Sequence, residues 1–374
     1  MAADRTLGGM ERGRGEGRWA APGRVNLIGE HLDYNGGPVL PIAIDRHTTV
    51  TATIRADSDI RITSEAELGA VRFSVSTKPG EVDGWAAYAA GVVWALGDAG
   101  HDVPGLDMRV TSDVPLGAGL SSSAAFECAV AVALRDLAGL DIDDVALALL
   151  AQRAENDYVG APTGSMDQLA SVCGRAGHAL LIETRVPSVS AIPAGWNDDG
   201  MQLLVIDTRV HHALGDGEYG RRRSECEEAA EALGVDLLAV ASEADVLGID
   251  DPLLRRRARH VVSETGRVGE AATALRSSDW SALGGLFVAS HASLRDDFAV
   301  SCSELDTAVA AAVDAGALGA RMTGGGFGGS AIALVRDDCV AAVAQRSQNA
   351  FAEAGWEEPS VFAVTASAGA GRVA

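Results

Sequence analysis

The stretch from Leu106 to Ala125 constrains this chain more than any other. An alternating segment, Leu106–Ser112, predicts a β-strand. It runs into Val114-Pro115-Leu116-Gly117-Ala118-Gly119-Leu120, then into Ser121-Ser122-Ser123-Ala124-Ala125 and an alanine-rich run that predicts a helix to about Leu137. Glycines let the backbone turn tightly and let a ligand approach closely. At the helix start, unsatisfied N–H groups and the positive dipole end attract an anion. An ordinary serine N-cap accounts for one hydroxyl. It does not account for three serines behind two spaced glycines. The segment therefore reads as a phosphate cradle, in which one serine could also ligate a metal ion.

The lysine content narrows how phosphates could be handled. The chain has a single lysine, Lys78, in a polar, loop-like stretch between Thr77 and Pro79. A Walker A loop needs Gly-Lys-Ser/Thr, and the protein-kinase fold needs a strand lysine. Both are excluded, and Schiff-base or pyridoxal-phosphate chemistry, which also needs a lysine, has only the loop-like Lys78 to use. With 30 Lys and Arg against 52 Asp and Glu, the net charge of −22 disfavours nucleic acid and anionic membrane surfaces as partners. A local basic pocket for a small anion remains compatible with it. No apolar run approaches the ~20 residues of a membrane span. The five cysteines are widely spaced, odd in number and without a Cys-x-x-Cys pair. That pattern argues against a disulfide framework or a zinc knuckle and for a reducing, cytoplasmic setting. Residues 1–18 lack the apolar core of a signal peptide, and the first ~15 are expected to fray.

A length of 374 residues allows two domains. Strands are also expected at Val39–Ile44, Thr48–Arg55, His178–Glu183, Gln202–Asp207, near Ala320, and at Ala331–Val335 and Ser360–Val364. Asp143 is expected to cap a helix running to Tyr158. Further helices are expected over Glu218–Leu233, Pro252–Leu275, Trp280–Arg295, Glu304–Ala315 and Asp337–Ala354. The irregular interleaving indicates an α+β fold rather than a doubly wound sheet. A boundary is expected in the Pro- and Gly-rich stretch 187–200, dividing the chain into residues 1–190 and 191–374.

Three more constellations carry chemistry. Ala21–Gly37 crowds Arg24, Glu30, His31 and Asp33 between glycines. Such a set suits a polyol, whose hydroxyls each donate and accept. A polar hairpin loop around Asn35-Gly36-Gly37 accounts for it equally well. Ala154–Gln168 places Glu155 at a helix end, a turn at Pro162 and Gly164, and Asp167 at the next helix start. Taken alone, Asp167 could be a helix cap and Glu155 a solvated charge. Arg321–Ser330 ends a strand in five glycines broken by Phe327, which implies unusual backbone angles or a backbone pressed against a ligand.

Together the four segments resemble the galactokinases, within the GHMP kinase superfamily. Gly23–Gly37 is similar to the family's sugar signature, and Pro115–Ala124 to the superfamily's ATP loop. The glycine run resembles its third motif. Leu32 stands where threonine is usual, and Ser330 where cysteine is common. The resemblance implies a two-domain GHMP kinase fold with the active site in the interdomain cleft. It implies ATP-dependent phosphorylation of galactose at C1, with Mg²⁺ as the metal. Arg24 and Asp167 would flank the anomeric hydroxyl, Asp167 as the candidate base. Glu30, His31, Asp33, Gly164 and Tyr219 would hold the other hydroxyls. Gly117, Ala118, Gly119, Leu120, Ser121, Ser122 and Ser123 would wrap the phosphates. Ser123, or Ser122 in its stead, would hold Mg²⁺ with Glu155. Trp85 and Tyr88 would stand on the adenine side, simple helix packing being the other account of them. Another sugar 1-kinase, of galactosamine or arabinose type, and a non-catalytic galactose/ATP sensor are the alternatives. The intact Ser-Ser-Ser-Ala speaks against the sensor.

Overall fold

The computed structural model describes residues 15–210 and 215–374; the tail expected to fray lies largely outside them. The chain opens with the long strands β1 (Glu16–Asn26) and β2 (Pro41–Ile54), then β3 (Asp59–Ser64) and β4 (Ala70–Ser74). Helix α1 (Ala86–Asp98), β5 (Leu106–Ser112), α2 (Ser122–Ala138), α3 (Asp144–Arg153), α4 (Met166–Cys173) and the hairpin β6 (His178–Glu183) and β7 (Ser188–Pro193) follow. Next come β8 (Met201–Asp207), α5 (Gly215–Leu233), α6 (Glu243–Leu247), α7 (Pro252–Arg276), α8 (Trp280–Ser293) and α9 (Ser303–Asp314). The chain ends with β9 (Gly319–Thr323), β10 (Ser330–Arg336), α10 (Val340–Ala354), β11 (Ser360–Val364) and β12 (Gly371–Val373).

Two sheets organise these elements. One has the order β12-β1-β2-β5-β3-β4, the other β11-β8-β10-β9, and β6 and β7 pair by themselves. In the first sheet only β3 and β5 run parallel. The buried, alanine-rich face of α2 packs on β1 and β2. In the second half, α8 and α9 cover β9, with α7 packed behind α8. The α+β class expected from sequence is what the chain adopts, with two main sheets, each covered by helices. Sheet membership does not follow the expected cut at residues 190 and 191, because β12 returns to close the first sheet's edge on β1.

Two expected strands, Val39–Ile44 and Thr48–Arg55, are one. The polar interruption Asp45-Arg46-His47 does not break β2, which pairs with β1 along its length and with β5 over its second half. The β1–β2 register shifts between Pro22 and Arg24. Such an irregularity re-aims a side chain, and here the side chain is Arg24. The expected cap holds: Asp143 accepts from Ala146 N, and α3 continues into a π-helical turn, Ala154–Val159.

Helix α8 and strand β9 approach closely enough that side chains are excluded between them. A Cβ on Gly284 would collide with the backbone of Leu318, whereas one on the adjacent Gly285 would meet open space. Gly284→Ala should therefore destabilise the protein by about 1–3 kcal/mol through overpacking. Gly285→Ala should stabilise it by about 0.5–1 kcal/mol through helix propensity. Denaturant midpoints of the two variants, read against the parent, check the opposite signs.

Candidate active site

The end of β1, the loop after it, the start of α4, Tyr219 of α5 and the glycine run 324–326 enclose a cavity of about 570 Å³. Arg24 and Asp167 meet at its base. The guanidinium Nε and Nη2 donate to Asp167 Oδ1 and Oδ2, both at 2.8 Å, a two-pronged pairing with the carboxylate. Its Nη1 donates to the carbonyl of Gly119 at 2.7 Å, so the same side chain grips the glycine loop. Ser121 Oγ also donates to Asp167 Oδ2. Asp167 is the second residue of α4, behind Ser165 at the N-cap position, and its carboxylate is turned to Arg24 rather than to the helix's own amides.

The loop after β1 supplies a second polar group. Buried His31 adopts φ 64°. Its Nε2 lies 3.2 Å from Gly325 O and its Nδ1 2.9 Å from the Tyr34 hydroxyl. A carbonyl only accepts, so Nε2 carries the proton and Nδ1 accepts from Tyr34. Burial, with the neighbouring charge of His260, lowers the imidazole pKa to about 3 and keeps the ring neutral. Asp33 accepts from Tyr34 N at 3.1 Å. Burial, then the charge of Asp167, raises its carboxyl to about 6. Its carboxylate occupies the space where a Cβ on Gly164 would stand, which explains glycine at that turn. Tyr219 closes the cavity with its ring 5.4 Å from His31 and 5.7 Å from Tyr34. Burial pushes its phenol well above the usual range.

Glu30 lines the cavity but is already engaged. It is ion-paired with the fully buried Arg321 and accepts from Gly324 N at 3.2 Å and Thr323 Oγ1 at 3.3 Å. Glu155 sits in the π-helical turn, a feature common at functional sites. Its Oε2 accepts from Gln168 Nε2 at 2.7 Å and Thr163 Oγ1 at 2.9 Å, and the nearby Ser123 hydroxyl, with those two, favours the charged carboxylate. Burial, then the charge of Asp167, raises its pKa. Among the described residues no three His, Cys, Asp or Glu side chains cluster as a metal cage.

The carbonyls of the glycine loop are turned into the protein. Ala118 O accepts from Ser330 Oγ at 2.7 Å, Gly119 O from Arg24, and Leu120 O from Arg24 N at 3.1 Å. Electron-rich oxygens are thereby held away from an anion approaching the start of α2. The glycine run supports this loop from the second sheet; Gly326, at φ 84°, lies where any Cβ would collide with Val300 O.

Of the residues expected from sequence, Arg24, Glu30, His31, Asp33, Gly164, Asp167, Tyr219 and Tyr88 all line the cavity. Ser121 joins through Asp167, and Ser123 through Glu155. Gly117 and Ser122 are in the loop and at the first position of α2, and Leu120 is buried beneath. Trp85 is outside the cavity lining, its ring centroid 6.1 Å from Phe126 of α2. Sequence reasoning missed Tyr34, Thr163, Gln168 and Arg321 as partners. Tyr34, Thr163 and Gln168 stood inside segments singled out for their charged residues, and Arg321 at the head of the segment singled out for its glycines. A lone arginine entering an apolar strand was the available signal for a buried counter-charge.

Residues 11–54 match the galactokinase galactose-binding signature, 87–175 the GHMP kinases N terminal domain and 271–353 the GHMP kinases C terminal domain. The chain is 52% identical to a galactokinase of Streptomyces coelicolor over 96% of its own length and 94% of the relative's. It superposes on the crystal structure of Lactococcus lactis galactokinase complexed with galactose with a TM-score of 0.91 and 34% identity, covering 96% of this chain and 95% of that one. Methanococcus jannaschii mevalonate kinase, 17% identical with a TM-score of 0.68 over 94% of this chain and 98% of its own, shares the fold.

Asp33 has a testable consequence for stability. Its folded pKa of about 6 lies above the ordinary 3.8, so the folded state binds the proton more tightly and loses stability as pH rises between those values. Asp33→Asn removes that cost. The variant should melt roughly 2–4 °C above the parent at pH 7.5, and the gap should close by pH 4. Ligand-free calorimetric melts across that range check the sign.

Proposed function

The chain belongs to the galactokinase family of the GHMP kinases, and we propose that it transfers the γ-phosphoryl group of ATP to the C1 hydroxyl of α-D-galactose, giving galactose 1-phosphate and ADP. The observation that carries this reading is the shared anchoring of the two half-sites. Arg24 bonds at once to Asp167, at the base of the polyol-sized cavity, and to Gly119 in the glycine loop. A hydroxyl on Asp167 therefore lies next to a phosphate held by that loop.

Asp167 orients the C1 hydroxyl and receives its proton. A carboxylate is a weak base at neutral pH. Phosphoryl transfer through a loose transition state needs little deprotonation of the nucleophile beforehand, so late acceptance of the proton suffices. Arg24 holds the carboxylate in place and puts positive charge beside the transferring group. Asp33 and Tyr219 offer an acceptor and a donor to the remaining hydroxyls, and Glu30 and His31 line the cavity beside them, held by their own partners. A misplaced hydroxyl would leave such buried groups unpaired, which is how a site of this kind rejects an epimer.

Mg²⁺ fits the donor set. One carboxylate and one hydroxyl, Glu155 and Ser123, are close enough for the hydroxyl to act on the carboxyl's pKa, and an ion that keeps several waters and phosphate oxygens needs no more from the protein. When bound, the ion neutralises phosphate charge. With it, the helix start and the amide side of the loop do what a P-loop lysine does elsewhere. A cytoplasmic location suits the five free cysteines.

ADP release measured over a panel of sugars tests the reading. Galactose should exceed glucose in kcat/KM by at least ~10²-fold, and galactosamine and arabinose should fall below it. Comparable turnover of glucose would overturn the assignment. Asp167→Asn should keep galactose binding by calorimetry yet lose ~10²–10⁴-fold in kcat. Near-parental kcat would remove Asp167 from the mechanism. Glu155→Ala should shift the Mg²⁺ titration of activity to higher concentration while galactose binding without nucleotide is retained. Overlaying titrations would mean that Glu155 does not hold the metal.

A further inference from the structure

We infer that Ser121 is a positioning residue for Asp167, fixing Oδ2 so that Oδ1 is the oxygen that accepts the sugar proton. This rests on the galactokinase reading above and adds an atom-level assignment to it. The serine run invites the view that all three hydroxyls face phosphate. Ser121 stands apart. It occupies the N-cap position of α2, yet its hydroxyl makes no capping bond and donates instead to Asp167 Oδ2. The residue sits at φ 58°, ψ 50°, the left-handed region that side-chain-bearing residues rarely enter. The preceding turn is tied to Arg24, through Arg24 N to Leu120 O and Arg24 Nη1 to Gly119 O.

Counting acceptor sites on the carboxylate leads to the assignment. Each carboxylate oxygen offers about two lone-pair positions. Oδ2 receives two donors, Arg24 Nη2 and Ser121 Oγ. Oδ1 receives one, Arg24 Nε, and retains one position. When the C1 oxygen attacks, its O–H bond breaks and the proton passes to that position on Oδ1. The O1–P bond forms as the bond from the γ-phosphorus to the bridging oxygen breaks, and its electron pair leaves on ADP. The loop that receives ATP is thus also the element that aims the acceptor.

Two variants test this. Ser121→Ala deletes the hydroxyl; Ser121→Gly deletes it and also accepts the positive φ without strain, so a foldable variant is available. Both should lower kcat by about 10–100-fold, the scale of one hydrogen bond to a charged group, with KM for ATP and galactose within about threefold of the parent. Placed in an Asp167→Asn background, Ser121→Gly should change kcat by less than about twofold, because its effect runs through that carboxylate. Parental kcat in the glycine variant would overturn the inference. So would a raised ATP KM with parental kcat at saturation, the signature of a phosphate ligand. A full further loss on top of Asp167→Asn would overturn it as well. If the parent releases no ADP with galactose, the functional reading fails; an active parent with an indifferent Ser121 fails this inference alone.

Discussion

Arg321 is the residue on which the geometry of the site depends. It projects from β9 of the second sheet, fully buried, and donates through Nη1 to Leu27 O at 2.9 Å. Its Nη2 is ion-paired with Glu30 and lies 3.6 Å from Glu264, which in turn accepts from Gly29 N at 3.0 Å. One guanidinium thereby clamps the loop that carries Glu30, His31 and Asp33 against the other half of the molecule. Burial pushes Glu264 up, but the charges of Arg321, His260 and Arg267 outweigh it and hold the carboxyl at about 2. For Glu30, burial prevails over the same arginine. A buried ion cluster of this kind contributes little net stability against an apolar core, but removing one member leaves the others uncompensated.

The polyol-facing and phosphate-facing parts are accordingly one hydrogen-bonded unit. Arg24 reaches both Asp167 and the glycine loop. Ser330, from the second sheet, holds Ala118 O. The π-helical turn brings Glu155 to Ser123 and Gln168. Gln168 Nε2 also reaches the buried Glu127 at 3.0 Å, so that a single amide stands between two carboxylates. An acidic molecule needs such an arrangement to receive a polyphosphate: its carboxylates must be paired, neutral or shared before another anion can enter.

Legibility of the fold varied with how much each element depended on distant partners. Leu106–Ser112, His178–Glu183 and Ser360–Val364 were readable to the residue, because apolar or alternating runs bounded by turn residues report burial directly. β3 and β4 were not: Asp59–Ser64 is short, with only Ile60 and Ile62 turned into the core between charged and hydroxyl side chains, and Ala70–Ser74 is the edge strand, none of whose residues is fully buried. α1 lacked a start signal, Trp85 providing no capping side chain. β12 is three residues long and exists only because β1 presents an open edge.

The site divides the same way. By itself the sequence determined which chemical groups the protein commits and where the backbone must turn: the glycine loop before α2, the charges after β1, the run of glycines after β9. These are short-range matters of steric freedom, helix ends and residue chemistry. Only the tertiary structure decided which groups face one another. Arg24 found Asp167 across 143 positions of sequence, and Glu30 turned to Arg321. Ser121 turned from the expected anion to a carboxylate. A charge or hydroxyl removed from water bonds to whichever partner shares its desolvated space, and that space is defined by how the two sheets and their helices pack.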